Sequence, residues 1–176
     1  CDTEYSFHEG KDMKIIDIIE EVKSMNTNLV EITGGEPMLQ KNVIHLMNEF
    51  LNNNFKVMLE TCGAISLKDV PEKVKKIVDF KCPSSKMKDK NLWSIIDELS
   101  PHDEIKFVIG DKADYEWTLK KINQYNLDSK WTILFSPVFD KLKLDQLANW
   151  ILEDNLNVRL QLQMHKYIWD PDMRAV

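Results

Sequence analysis

With 176 residues and 43% hydrophobic side chains, the chain can bury one substantial core, and a single domain over residues 1–176 is the expectation. A net charge of −6 argues against broad electrostatic contact with nucleic acid or an anionic membrane, and no apolar run approaches the length of a membrane span. No secretory signal opens the chain, so the cytoplasm is the expected compartment.

Residues 12–26 place Ile15, Ile18, Ile19, Val22 and Met25 on one face, the spacing of an amphipathic helix. A strand is expected at 28–33. It delivers Thr33-Gly34-Gly35-Glu36-Pro37, where the glycines admit unusual backbone angles and close ligand approach, and the proline suits a first helical turn. The helix starting at Pro37 runs through Val43, Ile44, Leu46, Met47 and Leu51 and stops at Asn52-Asn53-Asn54. Further strands are expected at 55–60, 74–81, 103–110, 131–136 and 158–163, with helices at 91–99, 113–125 and 142–153. Strands alternating with helices at this spacing indicate βαβ units and a mainly parallel sheet, either an incomplete barrel or an open sheet.

On this frame the polar residues fall at strand ends: Glu36, Glu60-Thr61-Cys62-Gly63, Lys81-Cys82-Pro83-Ser84, Ser136-Pro137 and Gln163 with His165-Lys166. Parallel α/β folds keep their ligands at that end. Glu36 there can accept hydrogen bonds from an ammonium group, or it is a surface glutamate on a tight turn. Glu60 is either a ligand-binding carboxylate or a strand-end residue capping a helix. The three cysteines, Cys1, Cys62 and Cys82, are too few and too far apart for a disulfide framework and fit a reduced compartment. Because the chain begins with cysteine, an upstream segment is expected before it. His8, His45 and His102 lack metal-ligand spacing, and Trp131 and Trp150 read as core or interface surface.

Cys1-Asp2-Thr3 together with Gly34-Gly35-Glu36-Pro37 resembles the radical S-adenosylmethionine (SAM) enzymes, whose CxxxCxxC loop holds a [4Fe–4S] cluster and whose GGEP-type motif binds the methionyl amino group. With Gln163-Met164-His165-Lys166-Tyr167-Ile168-Trp169, the resemblance extends over essentially the whole chain and sharpens to the 7-carboxy-7-deazaguanine synthase family of the queuosine pathway. It implies an α/β fold, an incomplete (βα)6-type parallel barrel, lacking here its N-terminal strand and part of the cluster loop. The implied reaction converts 6-carboxy-5,6,7,8-tetrahydropterin to 7-carboxy-7-deazaguanine, with SAM, a [4Fe–4S] cluster and Mg²⁺ as cofactors. An electron donor such as flavodoxin or ferredoxin and a homodimer are implied as partners.

Carried over residue by residue, the resemblance makes Cys1 a cluster ligand and Thr3 the ligand to Mg²⁺, an ion that prefers oxygen and keeps positions open for water or substrate. A loop-stabilising hydroxyl is the competing reading of Thr3. Thr33 corresponds to a substrate contact, and Gly35, Glu36 and Glu60 to contacts with SAM. Many relatives have Ser-Pro-Lys where this chain has Asp79-Phe80-Lys81; Lys81 and Ser84 remain candidates to bind a carboxylate or a ribose. Ser136, Pro137, Val138 and Phe139 match the adenosine-binding segment, the alternative being a plain strand-to-helix turn. The Val176 carboxylate is implied to contact substrate. Rival readings are a glycyl-radical activase, which shares both loops, and a non-catalytic nucleotide- or pterin-binding module.

Overall fold

A computed structural model describes residues 10–173 of the chain. These residues divide into two compact units, one formed by residues 10–79 and 90–104, the other by residues 80–89 and 105–173.

The first unit opens with helix α1 (Ile15–Ser24), which buries Ile19. Strand β1 (Leu29–Ile32) then leads to a single 3-10 turn at Pro37–Leu39, and helix α2 starts only at Val43 (Val43–Asn52). The helix expected from Pro37 is therefore split. Gln40 is extended, with ψ 123°, which ends the 3-10 turn before a continuous helix forms. At the far end of α2, Asn53 is the C-cap and Asn54 adopts a left-handed conformation, φ 63°. The asparagine run therefore stops the helix as its short polar side chains allow.

Strands β2 (Lys56–Thr61) and β3 (Lys75–Phe80, whose last residue belongs to the second unit) follow, in the order β1-β2-β3. β1 and β2 run parallel with Ile32 opposite Leu59, and β2 and β3 run parallel with Glu60 opposite Ile77. Val57, Leu59 and Thr61 alternate into the core, so Glu60, half-buried, faces the other side of the sheet. Residues 93–98 (Trp93–Glu98) form a 3-10 helix where an α-helix is expected from the apolar spacing. Two ion pairs fix the beginning of β3: the buried pair Lys76 to Asp103 at 3.0 Å, and Lys75, partly exposed, to Glu104 at 2.9 Å.

The second unit contains β4 (Glu104–Ile109, whose first residue belongs to the first unit), α3 (Lys112–Tyr125), β5 (Thr132–Pro137), α4 (Leu144–Glu153), β6 (Arg159–Leu160) and the short helix α5 (His165–Ile168). Its strand order is β4-β5-β6, and β5 pairs with β6 in parallel. The last strand is shorter than expected. Beyond it the Gln161 N–H still donates to the Phe135 carbonyl at 2.8 Å. Phe107 packs on Phe80 and Phe135, and Tyr115 packs on Phe135 and Trp150, giving this unit an aromatic core. No helix among the described residues is long and apolar enough to cross a membrane.

Candidate cofactor and substrate site

In the first unit the site is built on the loop between β1 and the 3-10 turn. Gly34 has φ +113°, a conformation that side chains with a Cβ rarely adopt, so the glycine is required there for backbone shape. The turn aims the Glu36 carboxylate at the end of β2. Oε1 accepts from the Met38 N–H at 3.0 Å and the Thr61 hydroxyl at 2.8 Å, and Oε2 accepts from the Cys62 N–H at 2.7 Å. Glu36 is thus both the cap of the 3-10 turn and the clamp on the β2 terminus. A carboxylate has about four lone-pair sites, so among the described residues one is left, on Oε2, for an external donor such as an ammonium group. Glu60 precedes Thr61 and lies half-buried on the opposite sheet face; Thr33 is exposed and Gly35 half-buried.

The second unit holds a different constellation, centred on a residue that sequence reading passed over. Asp114, in the first turn of α3, is fully buried. Its Oδ1 accepts from the Ser84 N–H at 2.8 Å, and its Oδ2 accepts from the Ser84 hydroxyl at 2.5 Å and the Gly110 N–H at 2.9 Å. The carboxylate therefore ties the 3-10 turn Pro83–Ser85 to the end of β4. Asp114, Thr118 and Ile122 form one buried stripe on α3 at helical spacing, and Cys82 contacts Thr118 at 3.5 Å. That i, i+4, i+8 pattern was the signal available in the sequence. Cys82 is buried and packs as a small residue of the core. Lys81 and Ser84 are both half-buried.

Ser136 and Pro137 are buried at the end of β5, and Val138 and Phe139 follow, half-buried. The Val138 backbone is fully committed: its N–H donates to Ile109, and its carbonyl accepts from Lys141 and Leu142. It has no amide hydrogen left for a base edge. Beside this segment lies a cavity of about 370 Å³ lined by Pro137, Phe139, Leu142, Leu144, Gln163 and Tyr167, among others. Phe139 meets Tyr167 edge to face, with ring centroids 5.7 Å apart, and the Lys166 ammonium lies 5.1 Å from the Phe139 ring centre. Tyr167 was not singled out from the sequence as a site residue. The volume is in the range of small-molecule pockets.

Cys1, Thr3 and Val176 lie outside the described residues. Among the described residues no group of three or more His, Cys, Asp or Glu side chains is arranged to hold a metal ion.

No protein-family model matches the chain. The 7-carboxy-7-deazaguanine synthase of Koribacter versatilis, however, is 43% identical over 191 residues, an alignment covering 100% of this chain and 84% of the relative. The chain belongs to the 7-carboxy-7-deazaguanine synthase family. Synthases of the same family from Chlorobaculum tepidum and Clostridium acetobutylicum are 38% and 33% identical, each over 100% of this chain and over 81% and 83% of their own lengths. Among solved structures, Streptococcus suis SuiB matches with a TM-score of 0.58 at 14% identity over 88% of this chain. The chain spans 44% of that structure and 45% of the same protein solved with S-adenosylmethionine bound, which it also matches with a TM-score of 0.58. The fold is thus the α/β, incomplete parallel barrel of the radical SAM enzymes. As a member of the synthase family the chain is a radical SAM lyase, using S-adenosylmethionine and a [4Fe–4S] cluster on a small-molecule substrate. The activase and the non-catalytic module give way to this family.

Proposed function

We propose that this chain converts 6-carboxy-5,6,7,8-tetrahydropterin to 7-carboxy-7-deazaguanine, and that Glu36 holds the amino end of S-adenosylmethionine during the reaction. The observation that carries the assignment of Glu36 is the acceptor position that the described residues leave on it: three of their donors fix the carboxylate in place, with Oε2 able to meet an ammonium group. A carboxylate fixed this way is preorganised, so little reorientation is needed when the ligand arrives.

The other residue roles rest on the family and on the placement described above. Cys1 contributes to the cluster and Thr3 to Mg²⁺. When bound, the cluster supplies the electron that cleaves the sulfonium reductively. Gly35 permits close approach of the ligand backbone, Thr33 faces the pterin, and Glu60 contributes a second carboxylate on the sheet face opposite Thr61. In the second unit Lys81 takes the methionyl carboxylate. Ser136, Pro137, Val138 and Phe139 supply the wall against which adenine packs; with the Val138 amide committed, Val138 contributes contact surface rather than hydrogen bonding. Val176 contacts the substrate. A flavodoxin or ferredoxin feeds the electron, and the enzyme works as a homodimer.

The test is anaerobic reconstitution of the full-length gene product, with iron and sulfide counted and 6-carboxytetrahydropterin, S-adenosylmethionine, Mg²⁺ and a reductant supplied. Formation of 7-carboxy-7-deazaguanine together with 5′-deoxyadenosine is the expected result. Formation of 5′-deoxyadenosine alone would remove the pterin assignment while leaving the radical chemistry in place.

A further inference from the structure

We propose that Gln161 reads the lactam edge of the pterin, its side-chain amide meeting the C4 carbonyl and the N3–H of the ring together. β5 and β6 run parallel with Phe135 opposite Leu160, so the residues that follow, Ser136 and Gln161, lie side by side on the other face of the sheet. The Gln161 N–H, bonded to the Phe135 carbonyl at 2.8 Å, carries the pairing one residue past the strand. Phe135 packs on Phe107 and Tyr115 in the aromatic core. Gln161 therefore sits on the face turned away from that core, beside the buried Ser136. Ser136 opens the segment assigned to the cofactor, so Gln161 lies next to where a substrate has to approach it.

Gln161 is half-buried, and its Oε1 is buried with no hydrogen-bond partner among the described residues. Such an oxygen has given up its bonds to water and gained none, a state that few buried polar groups occupy. A ligand carrying a donor supplies the missing bond. The terminal torsion of a glutamine is broad and two-fold, so the amide can turn to present acceptor and donor together. A lactam is the complementary partner: its N–H donates to Oε1 while its carbonyl accepts from Nε2, the pairing by which glutamine meets a donor–acceptor edge of a base. The carboxylate of the substrate offers only acceptors. The cavity beside the adenine wall does not count Gln161 among its lining residues, which leaves the amide to the substrate. The inference rests on the reading that the substrate is a pterin.

The experiment measures affinity and stability rather than turnover. The full-length, cluster-loaded protein with S-adenosylmethionine bound is titrated, without reductant, with 6-carboxytetrahydropterin and with an analogue lacking the C4 oxygen. The natural protein should favour the parent by about tenfold, the value of one ordinary hydrogen bond. Gln161→Leu should weaken binding of the parent by about the same factor and bring the ratio to near one. It should leave S-adenosylmethionine affinity unchanged and Tm unchanged or raised, since it removes an oxygen left unbonded among the described residues. If Gln161→Leu does not fold, Gln161→Met repeats the test. Equal pterin affinity in the variant and the natural protein overturns the proposal while the pterin reading stands. Loss of S-adenosylmethionine affinity, or a fall in Tm that Gln161→Met shares, marks a cofactor or structural role and overturns it as well. No binding of the pterin by the natural protein overturns both the proposal and the reading beneath it.

Discussion

The Glu36 carboxylate accepts the Thr61 hydroxyl at 2.8 Å, joining the loop after β1 to the end of β2 across 25 residues of chain. Because Thr61 is only 2% exposed, its hydroxyl has no ready substitute partner in water. The same carboxylate that is assigned to cofactor binding therefore also holds the fold together locally.

Glu36→Ala should accordingly have two effects. It strands the Thr61 hydroxyl and the Cys62 N–H, which should lower stability by about 3 kcal/mol, and it should weaken S-adenosylmethionine binding at least tenfold, about 1.4 kcal/mol. Thr61→Val separates them: it removes one bond, costing about 1 kcal/mol of stability, while leaving the carboxylate and most of the ligand affinity. Urea unfolding and ligand titration on both variants check this. Equal affinity of the natural protein and Glu36→Ala would count decisively against the cofactor role.

A second prediction concerns the ion pair beneath β3. Asp103 accepts from the Lys76 ammonium at 3.0 Å and from the Lys76 and Ser100 backbone N–H groups at 2.7 Å each. Asp103→Ala leaves the buried Lys76 charge unpaired and should cost about 4 kcal/mol. Lys76→Met leaves Asp103 with two backbone donors and should cost less. The order of the two urea midpoints is the check, and the reverse order would contradict the account.

Gly110→Ala should destabilise the second unit by about 1–2 kcal/mol, since a methyl group meets the Ser84 oxygen as well as the Lys141 ammonium. The lysine can swing away. Ser84 can move only by loosening its bonds to Asp114. Removing the lysine in Gly110→Ala/Lys141→Ala should therefore recover little stability; full recovery in thermal melts would place the clash at Lys141 instead.

Tyr115 supplies a pH prediction. Its hydroxyl lies 2.6 Å from Asp154 Oδ2 and 2.8 Å from the Trp150 carbonyl, linking α3 to α4. Burial first, then the bond to Asp154 and its negative charge, raise the phenol pKa above its ordinary value near 10. The folded state thus keeps the proton more tightly than the unfolded state. Its stabilising contribution is complete below about pH 10 and is lost as pH rises toward the raised folded value. Tyr115→Phe should cost about 1 kcal/mol at neutral pH and flatten the alkaline decline of stability, which unfolding measured between neutral and strongly alkaline pH would reveal.

The sequence by itself determined the alternation of strands and helices, the Gly-Gly-Glu-Pro loop and the family, because each is written in local spacing or contiguous residues. Five of the six strands lie within one or two residues of their expected positions, since runs such as those leading to Ile32, Thr61 and Ile109 carry their apolar pattern within the segment itself. Tertiary structure decided the rest. The break of the helix at Gln40 depends on the 3-10 turn capped by Glu36, whose carboxylate is oriented by donors 25 and 26 residues away. Asp114 reads in sequence as an ordinary acid near a helix start. It becomes a buried centre only because Ser84, 30 residues upstream, and Gly110 bring three donors to it. Periodicity reports which face of an element is apolar; the hydrogen-bond partners of a buried charge come from segments brought together by folding, and no local pattern encodes them.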